Sequence, residues 1–268
     1  MSVNEVKTLY ESLKPVVKHF NFSSKSKELL DNWMAALEMS HGIHLMTWCA
    51  TRMAHFLEAC KRFDELLIPV YNAMVTMDLK QEERDKLFEA NNIFTMKLIT
   101  DLQPIMLNRL QRTVDKDGHL VSETYMLAQQ TAHNARKLVT PTADKFVESL
   151  HLDNNGNLMF TESINNSDHL LRLSDSQKPT RGKSEDQRLA SVKEKMAQIK
   201  KDVLNNIYQN LTEQIGDESY YSAWSGLDLA DKECSIEERV TKLDSLLNIF
   251  ANENVHEVKN MLTQRKPS

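Results

Sequence analysis

Along most of this chain apolar residues recur every three or four positions, the interval that places them on one face of a helix. Ser2-x-x-Glu5 reads as a capping box opening a helix through Asn21. A second helix is expected from about Lys27 to Met39. After Gly42 a longer run begins, in which Leu45, Trp48, Arg52, Phe56, Cys60 and Phe63 share one face. Pro69 should kink or restart that helix, because proline lacks an amide proton and its ring crowds the carbonyl four residues back. Asp78 and Gln81 signal another start, with apolar residues continuing to Leu110. Within it Leu87, Phe88, Ile93, Phe94, Met96, Leu98, Ile99 and Leu102 leave little polar surface, which predicts a buried segment interrupted at Pro104.

The helical pattern resumes from Leu120 to Leu138. Thr140-Pro141 supplies an N-cap and a proline at the first helical position, opening a helix to Leu150. Asp153-Asn154-Asn155-Gly156-Asn157 is a turn, and Leu158-Met159-Phe160 reads as a short strand. Leu173 to Gly182 is polar, holds Pro179 and reads as flexible linker. Ser184-x-x-Gln187 then caps a long amphipathic helix whose stripe is Leu189, Val192, Met196, Ile199, Val203, Ile207 and Leu211. A break from Ile215 to Gly226 follows. Ser235-x-x-Glu238 caps a last helix carrying Val240, Leu243, Leu246, Leu247 and Phe250. The expected fold is therefore all-α, a multi-helix bundle with a long amphipathic C-terminal helix after a flexible linker. It divides into a helical domain at 1–171, a linker at 172–184 and a helical C-terminal region at 185–268.

Composition agrees with helices. The 268 residues include 6 Gly and 6 Pro, and no Gly lies between Ile43 and Asp117, whereas hairpin-rich folds need more turn residues. Net charge is -5, which makes no general electrostatic case for nucleic-acid binding. The charge is uneven, however. Arg172 to Lys201 holds nine basic and four acidic residues, net +5, and Asp202 to Ser268 holds six basic and twelve acidic, net -6. Cys49, Cys60 and Cys234 form no CxxC pair, and the first residues lack the basic and apolar regions of a signal peptide. Reduced thiols in an intracellular protein are expected, with the sequons at Asn21, Asn165 and Asn210 as chance matches. No apolar run approaches the roughly 20 residues that cross a bilayer, so no membrane association is expected.

Candidate chemistry is sparse. His41, His44, Cys49, His55 and Cys60 could be metal ligands, but zinc sites use close pairs such as CxxC or HxxxH, and the two cysteines lie three helical turns apart. The plainer reading is ordinary helix residues, with cysteine as a small hydrophobe. Thr113 to Gly118 and His151 to Gly156 have partial calcium-loop character but lack an acid at the first ligand position, and read as turns. Gly182-Lys183-Ser184 echoes the end of a phosphate-binding loop without its first glycine, since Gln177 stands there. Glu82-Glu83 and Glu237-Glu238 sit at helix starts, where acids favour the helix dipole. No cofactor, metal or small-molecule substrate is inferred.

One segment carries a resemblance. Thr51-Arg52-Met53 opens a helical run, Phe63 to Met74 and Leu98 to Ile105 continue it, and Leu120-Val121-Ser122-Glu123-Thr124-Tyr125 follows. From Leu45 to about Phe160 the chain resembles the C-terminal half of hAT-superfamily (hobo/Activator-like) DNA transposases. In that family an all-helical insertion splits a ribonuclease-H-like catalytic domain, and a Thr-Arg-Trp motif marks its start. Met53 stands here in place of the tryptophan. The resemblance covers the insertion region, so the family's catalytic acids cannot be carried over onto this sequence.

The expectation is a non-catalytic, transposase-derived helical protein that makes protein–protein contacts or self-associates. It would also touch DNA backbone through Arg52, Lys61, Arg62, Lys193, Lys195, Lys200 and Lys201. That reading implies a nuclear location. The competing reading is a stand-alone, cytoplasmic helical adaptor that binds a partner through the Leu189 to Leu211 stripe. A third is a metalloenzyme built on His41, His44 and Cys49.

Overall fold

The computed structural model describes residues 4–39, 43–48, 53–77, 81–104, 127–132, 135, 137–175, 184–215, 235–238, 240–242 and 244–245. They fall into two compact units. One comprises 1–108 and 136–206, the other 109–135 and 207–268.

The first unit opens with α1 (Asn4–Phe22), whose buried stripe is Leu9, Leu13, Val16, Val17 and Phe20. In α2 (Ser24–Ala36) the start is fixed by Ser23, whose hydroxyl accepts from the Ser26 amide at 3.3 Å. The expected box at Ser2 lies outside the described residues. Residues 43–48, read as helical from their spacing, are irregular. Trp48 is held instead by its aromatic neighbours, Tyr10 at 5.5 Å and Phe56 at 5.5 Å between ring centroids. Tertiary packing here overrides a helical spacing that is real but local.

The face of α3 (Met53–Glu65) that carries Phe56, Cys60 and Phe63 is buried, as its spacing implies. The helix stops four residues before Pro69, and α4 (Leu67–Thr76) restarts with that proline in its first turn. After α5 (Gln81–Leu87) comes α6 (Ala90–Gln103), ended by Pro104. Helix α6 is buried around its whole circumference and packs on α1, α3 and α7 (Pro141–Ser149). Asp101 fixes the start of α7, its carboxylate accepting from the amides of Thr142 at 3.2 Å and Ala143 at 2.9 Å. Thr140, the residue read as the cap, instead donates its hydroxyl to Asp144.

The expectation of an all-α chain needs correction. The described residues are mainly helical, but β1 (His151–Leu152), β2 (Leu158–Ile164) and β3 (Ser167–Leu173) form an antiparallel meander in the order β1-β2-β3. Arg172 and Leu173, read as the start of a linker, are strand residues. The hairpin between β2 and β3 turns on Asn165 and Asn166, with φ of 50° and 62°. Two successive left-handed residues match the right-handed twist of a hairpin, and asparagine tolerates them. Asn165 also donates its side-chain amide to the carbonyl of Leu37 at 2.8 Å, just beyond α2. Leu158 pairs with Leu173 and Phe160 with Leu171, and all four are buried on one face. Phe146 of α7 meets Phe160 at 4.6 Å and Phe94 of α6 at 6.4 Å, joining the sheet to the helical core.

Helix α8 (Glu185–Ile215) begins with the expected Ser184/Gln187 box, the Ser184 backbone amide donating to the Gln187 side-chain Oε1 at 3.1 Å and the Gln187 backbone amide to the Ser184 hydroxyl at 3.3 Å. It contributes residues up to Asn206 to the first unit and the rest to the second. In the second unit residues 127–132 are helical, with Thr131 and Ala132 buried. The Ser235/Glu238 box also forms, at 3.0 and 3.2 Å. Val240, read as an apolar stripe position, is exposed. No helix among the described residues is long and apolar enough to cross a membrane.

Candidate functional site

Two groups of charged side chains stand out, both inside the first unit. The first is buried. Lys97 on α6 has a side chain only 4% exposed, and its ammonium donates to Asp64 of α3 at 2.9 Å and Glu162 of β2 at 2.7 Å. It also lies 5.3 Å from the centroid of the Phe160 ring. Burial alone would pull the lysine down, but the two carboxylates outweigh it and hold its pKa above the ordinary value. Burial raises the Asp64 carboxyl, Lys97 opposes that rise, and Glu162 and Asp101 add to it. This cluster fixes α3, α6 and β2 against one another with its cation enclosed.

The second group lines an open cleft of about 450 Å³ between α4, α5, the sheet and the start of α8. Tyr71 comes from α4, while Gln81, Arg84 and Asp85 come from α5. Phe88 follows α5, and its ring meets Tyr71 edge-on at 4.9 Å. Asn157, Leu158, Arg172, Leu173, Ser174 and Asp175 come from the sheet and its ends, and Arg188 from α8.

Backbone hydrogen bonds make this cleft. Ser174 pairs in parallel with Glu89, the Ala90 amide donating to its carbonyl at 3.0 Å and its own amide donating to Phe88 at 3.0 Å. Its hydroxyl donates to the Asp85 carbonyl. The Arg172 amide donates to the Tyr71 hydroxyl at 3.3 Å. The free edge of β3, otherwise a row of unpaired groups, is thus tied to α4 and to the α5–α6 junction.

The three arginines differ in what holds them. Arg188 donates to Asp175 at 3.2 Å and to the Gly156 carbonyl at 2.6 Å. Arg84 donates to the neutral side chain of Gln81. Arg172 is exposed on the outer face of β3 and acts at longer range on the Asp153 carboxylate, helping to lower its pKa. Among the described residues no carboxylate lies within salt-bridge distance of it or of Arg84.

The residues singled out from sequence are dispersed. Arg52, His41 and Cys49 lie outside the described residues. His44 is exposed in the irregular segment 43–48. Lys61 and Arg62 are on α3, where Arg62 is held by Glu58 at 3.3 Å and Glu65 at 3.6 Å. Lys200 donates to Asp144 of α7 at 2.7 Å. At about 100° per residue, Lys193 and Lys200 flank one side of the α8 stripe, Lys195 flanks the other, and Lys201 points away from it. They do not form one basic face. Along the stripe Val192, Met196, Ile199 and Val203 are buried, while Leu189, Ile207 and Leu211 are half-buried. A partner would reach the buried four only by displacing the chain's own core.

Cys60 is wholly buried, and burial, with Asp64 adding to it, pushes its thiol far above the ordinary range, which makes it inert. No group of three or more His, Cys, Asp or Glu placed to hold a metal occurs among the described residues. In the loop at 153–157, Asp153 turns inward on its own backbone, accepting from Asn155 at 2.9 Å and from the Asn157 amide at 2.8 Å. Gly156 takes φ of 73° there. The hydrogen bonds from Asn157 lower the Asp153 pKa. The carboxylate that the calcium-loop reading would need is thus used in closing the turn.

Arg84 escaped the sequence reading. It stands in Gln81-Glu82-Glu83-Arg84-Asp85-Lys86, indistinguishable from a solvated helix face. The pairing of Glu89 with Ser174, together with the Ser174–Asp85 and Arg172–Tyr71 hydrogen bonds, brings it into the same cleft as Arg172. No protein-family model, no curated protein and no solved structure matches the chain.

Proposed function

We propose that this chain is a non-catalytic, helix-built binding module of hAT-transposase type, acting through contacts with protein partners and with DNA backbone. The observation that carries the reading is the arginine cleft: of the three guanidinium groups lining it, only Arg188 is bridged to a carboxylate within salt-bridge distance among the described residues. Guanidinium groups suit phosphate and carboxylate because they offer several donors in a fixed plane. The run from Thr51 supports descent from the family's helical insertion, which is not the part that carries the catalytic acids. A nuclear location belongs to the same reading.

The test is a titration of the purified chain against duplex and hairpin DNA at two salt concentrations. Phosphate contacts release counterions, so binding should be measurable at low salt and fall steeply as salt rises. Failure to bind either DNA at low salt would remove the DNA part of the proposal and leave a protein-contact module.

A further inference from the structure

We infer that the cleft is a binding site for a phosphate-type oxyanion, ligated by Arg84 and Arg172 with Tyr71 as a third donor. The inference deepens the function proposed above and rests on the reading of the chain as a binding module.

Charge is the first argument. Three arginines and two aspartates line the cleft, which leaves one positive charge. Asp175 serves Arg188 at 3.2 Å, and the Asp85 carboxylate accepts from the Gln81 amide at 2.6 Å. Asp85 keeps its own charge, and Arg172 also acts on the Asp153 carboxylate. The three arginines still exceed the two lining aspartates by one positive charge, which an anion between Arg84 and Arg172 would balance.

Donor chemistry is the second. The Tyr71 hydroxyl accepts the Arg172 amide proton. Among the described residues no acceptor takes its own proton, which can therefore be donated into the cleft. Two guanidinium groups and a hydroxyl match the several oxygens of a tetrahedral anion better than the two of a carboxylate.

Preorganisation is the third. Arg84 and Arg172 lie far apart in sequence, yet Ser174 bonds the end of β3 to the α5–α6 junction on both of its backbone groups and through its hydroxyl. The binding residues therefore sit on regular elements joined by three hydrogen bonds. A volume of about 450 Å³ falls within the ordinary range for small-ligand sites, so the phosphate could belong to a free compound or to a DNA strand.

The test uses the full chain and two probes, inorganic pyrophosphate and hairpin DNA. Binding is measured by calorimetry for wild type, for Arg84→Gln with Arg172→Gln, and for Lys18→Gln, an exposed α1 position, as control. Wild type and the control should bind pyrophosphate alike. The double variant should lose about tenfold or more in affinity, the scale of charge-assisted hydrogen bonds, with its melting temperature unchanged. Pyrophosphate that fails to bind wild type, or binds the double variant equally well, overturns the inference.

The DNA arm separates the sources. Parallel loss of both ligands identifies the phosphate as a strand phosphodiester. Loss of pyrophosphate with DNA binding intact, or pyrophosphate binding without DNA binding, identifies a free phosphate compound. The last result would defeat the DNA part of the proposed function while leaving the site standing.

Discussion

The Lys97 cluster and the arginine cleft both gather charges from three or more elements, yet they reach opposite ends. Around Lys97 the cation is enclosed and met by two carboxylates at 2.9 and 2.7 Å. In the cleft Arg188 is paired with a largely covered Asp175, but Arg172 is open to water, and one positive charge is left over. Satisfied buried charge acts on architecture, because any change leaves a partner stranded out of water. Unsatisfied exposed charge contributes little to stability and remains available to bind. The same residue types thus hold the fold in one place and offer a surface in the other.

The strongest way to break this contrast is at Lys97. Lys97→Met strands two carboxylates and should cost about 3–5 kcal/mol of stability, read by chemical denaturation. Replacing all three members with apolar residues of similar size should restore most of that loss. If the triple change is as damaging as the single one, the cluster does more than neutralise itself. Its pH dependence follows from the directions of the shifts. Lys97 holds its proton more tightly in the fold, so its contribution is whole below the ordinary lysine value of about 10.4 and drains away as pH rises beyond it. Asp64 is raised, so its effect runs the same way at the acid end, where stability falls as pH climbs above the ordinary aspartate value of about 3.9. Lys97→Met should enlarge that acid-side trend.

A smaller loss is expected one turn along α6. Asp101→Ala removes the carboxylate that accepts from the Thr142 and Ala143 amides at the start of α7, and should cost about 1 kcal/mol by the same measurement. The cleft should respond least in stability. Arg84→Gln and Arg172→Gln should each stay within about 0.5 kcal/mol of wild type. A loss comparable to that at Lys97 would show that the arginines are structural. Asp153→Ala lies at the bottom of the scale, loosening an exposed turn with a slight drop in melting temperature. The low pKa of Asp153 makes its contribution present at neutral pH and lost in acid.

How far the sequence foretold each region follows from the range of the interactions involved. The core of α6 was legible because eight apolar residues between Leu87 and Leu102 left no polar face, and all eight are buried. The capping boxes at Ser184 and Ser235 were legible because their bonds span three residues. The hairpin was legible only in part. Its alternation is masked by Ser, Asn and Asp on the outer face, and Asn165-Asn166 is one of several polar pairs in that stretch, so nothing marks it as the turn. Neither charged group was legible. Lys97 sits three positions after Phe94 in a run that reads as purely apolar. Arg84 and Arg172 come to line one cleft through long-range pairings that leave no local mark on either segment.

Those pairings also bear on when the protein can finish folding. Tyr71 and Arg172 are 101 residues apart, and Asp85 and Ser174 are 89 apart. At the usual elongation rates the ribosome takes roughly 5–20 s to travel between the two halves of the cleft. Helices α1 to α6 must therefore wait, with the sheet side of their core uncovered, until β3 emerges. A chaperone that recognises apolar surface has that interval in which to act, and it closes when Ser174 reaches the α5–α6 junction.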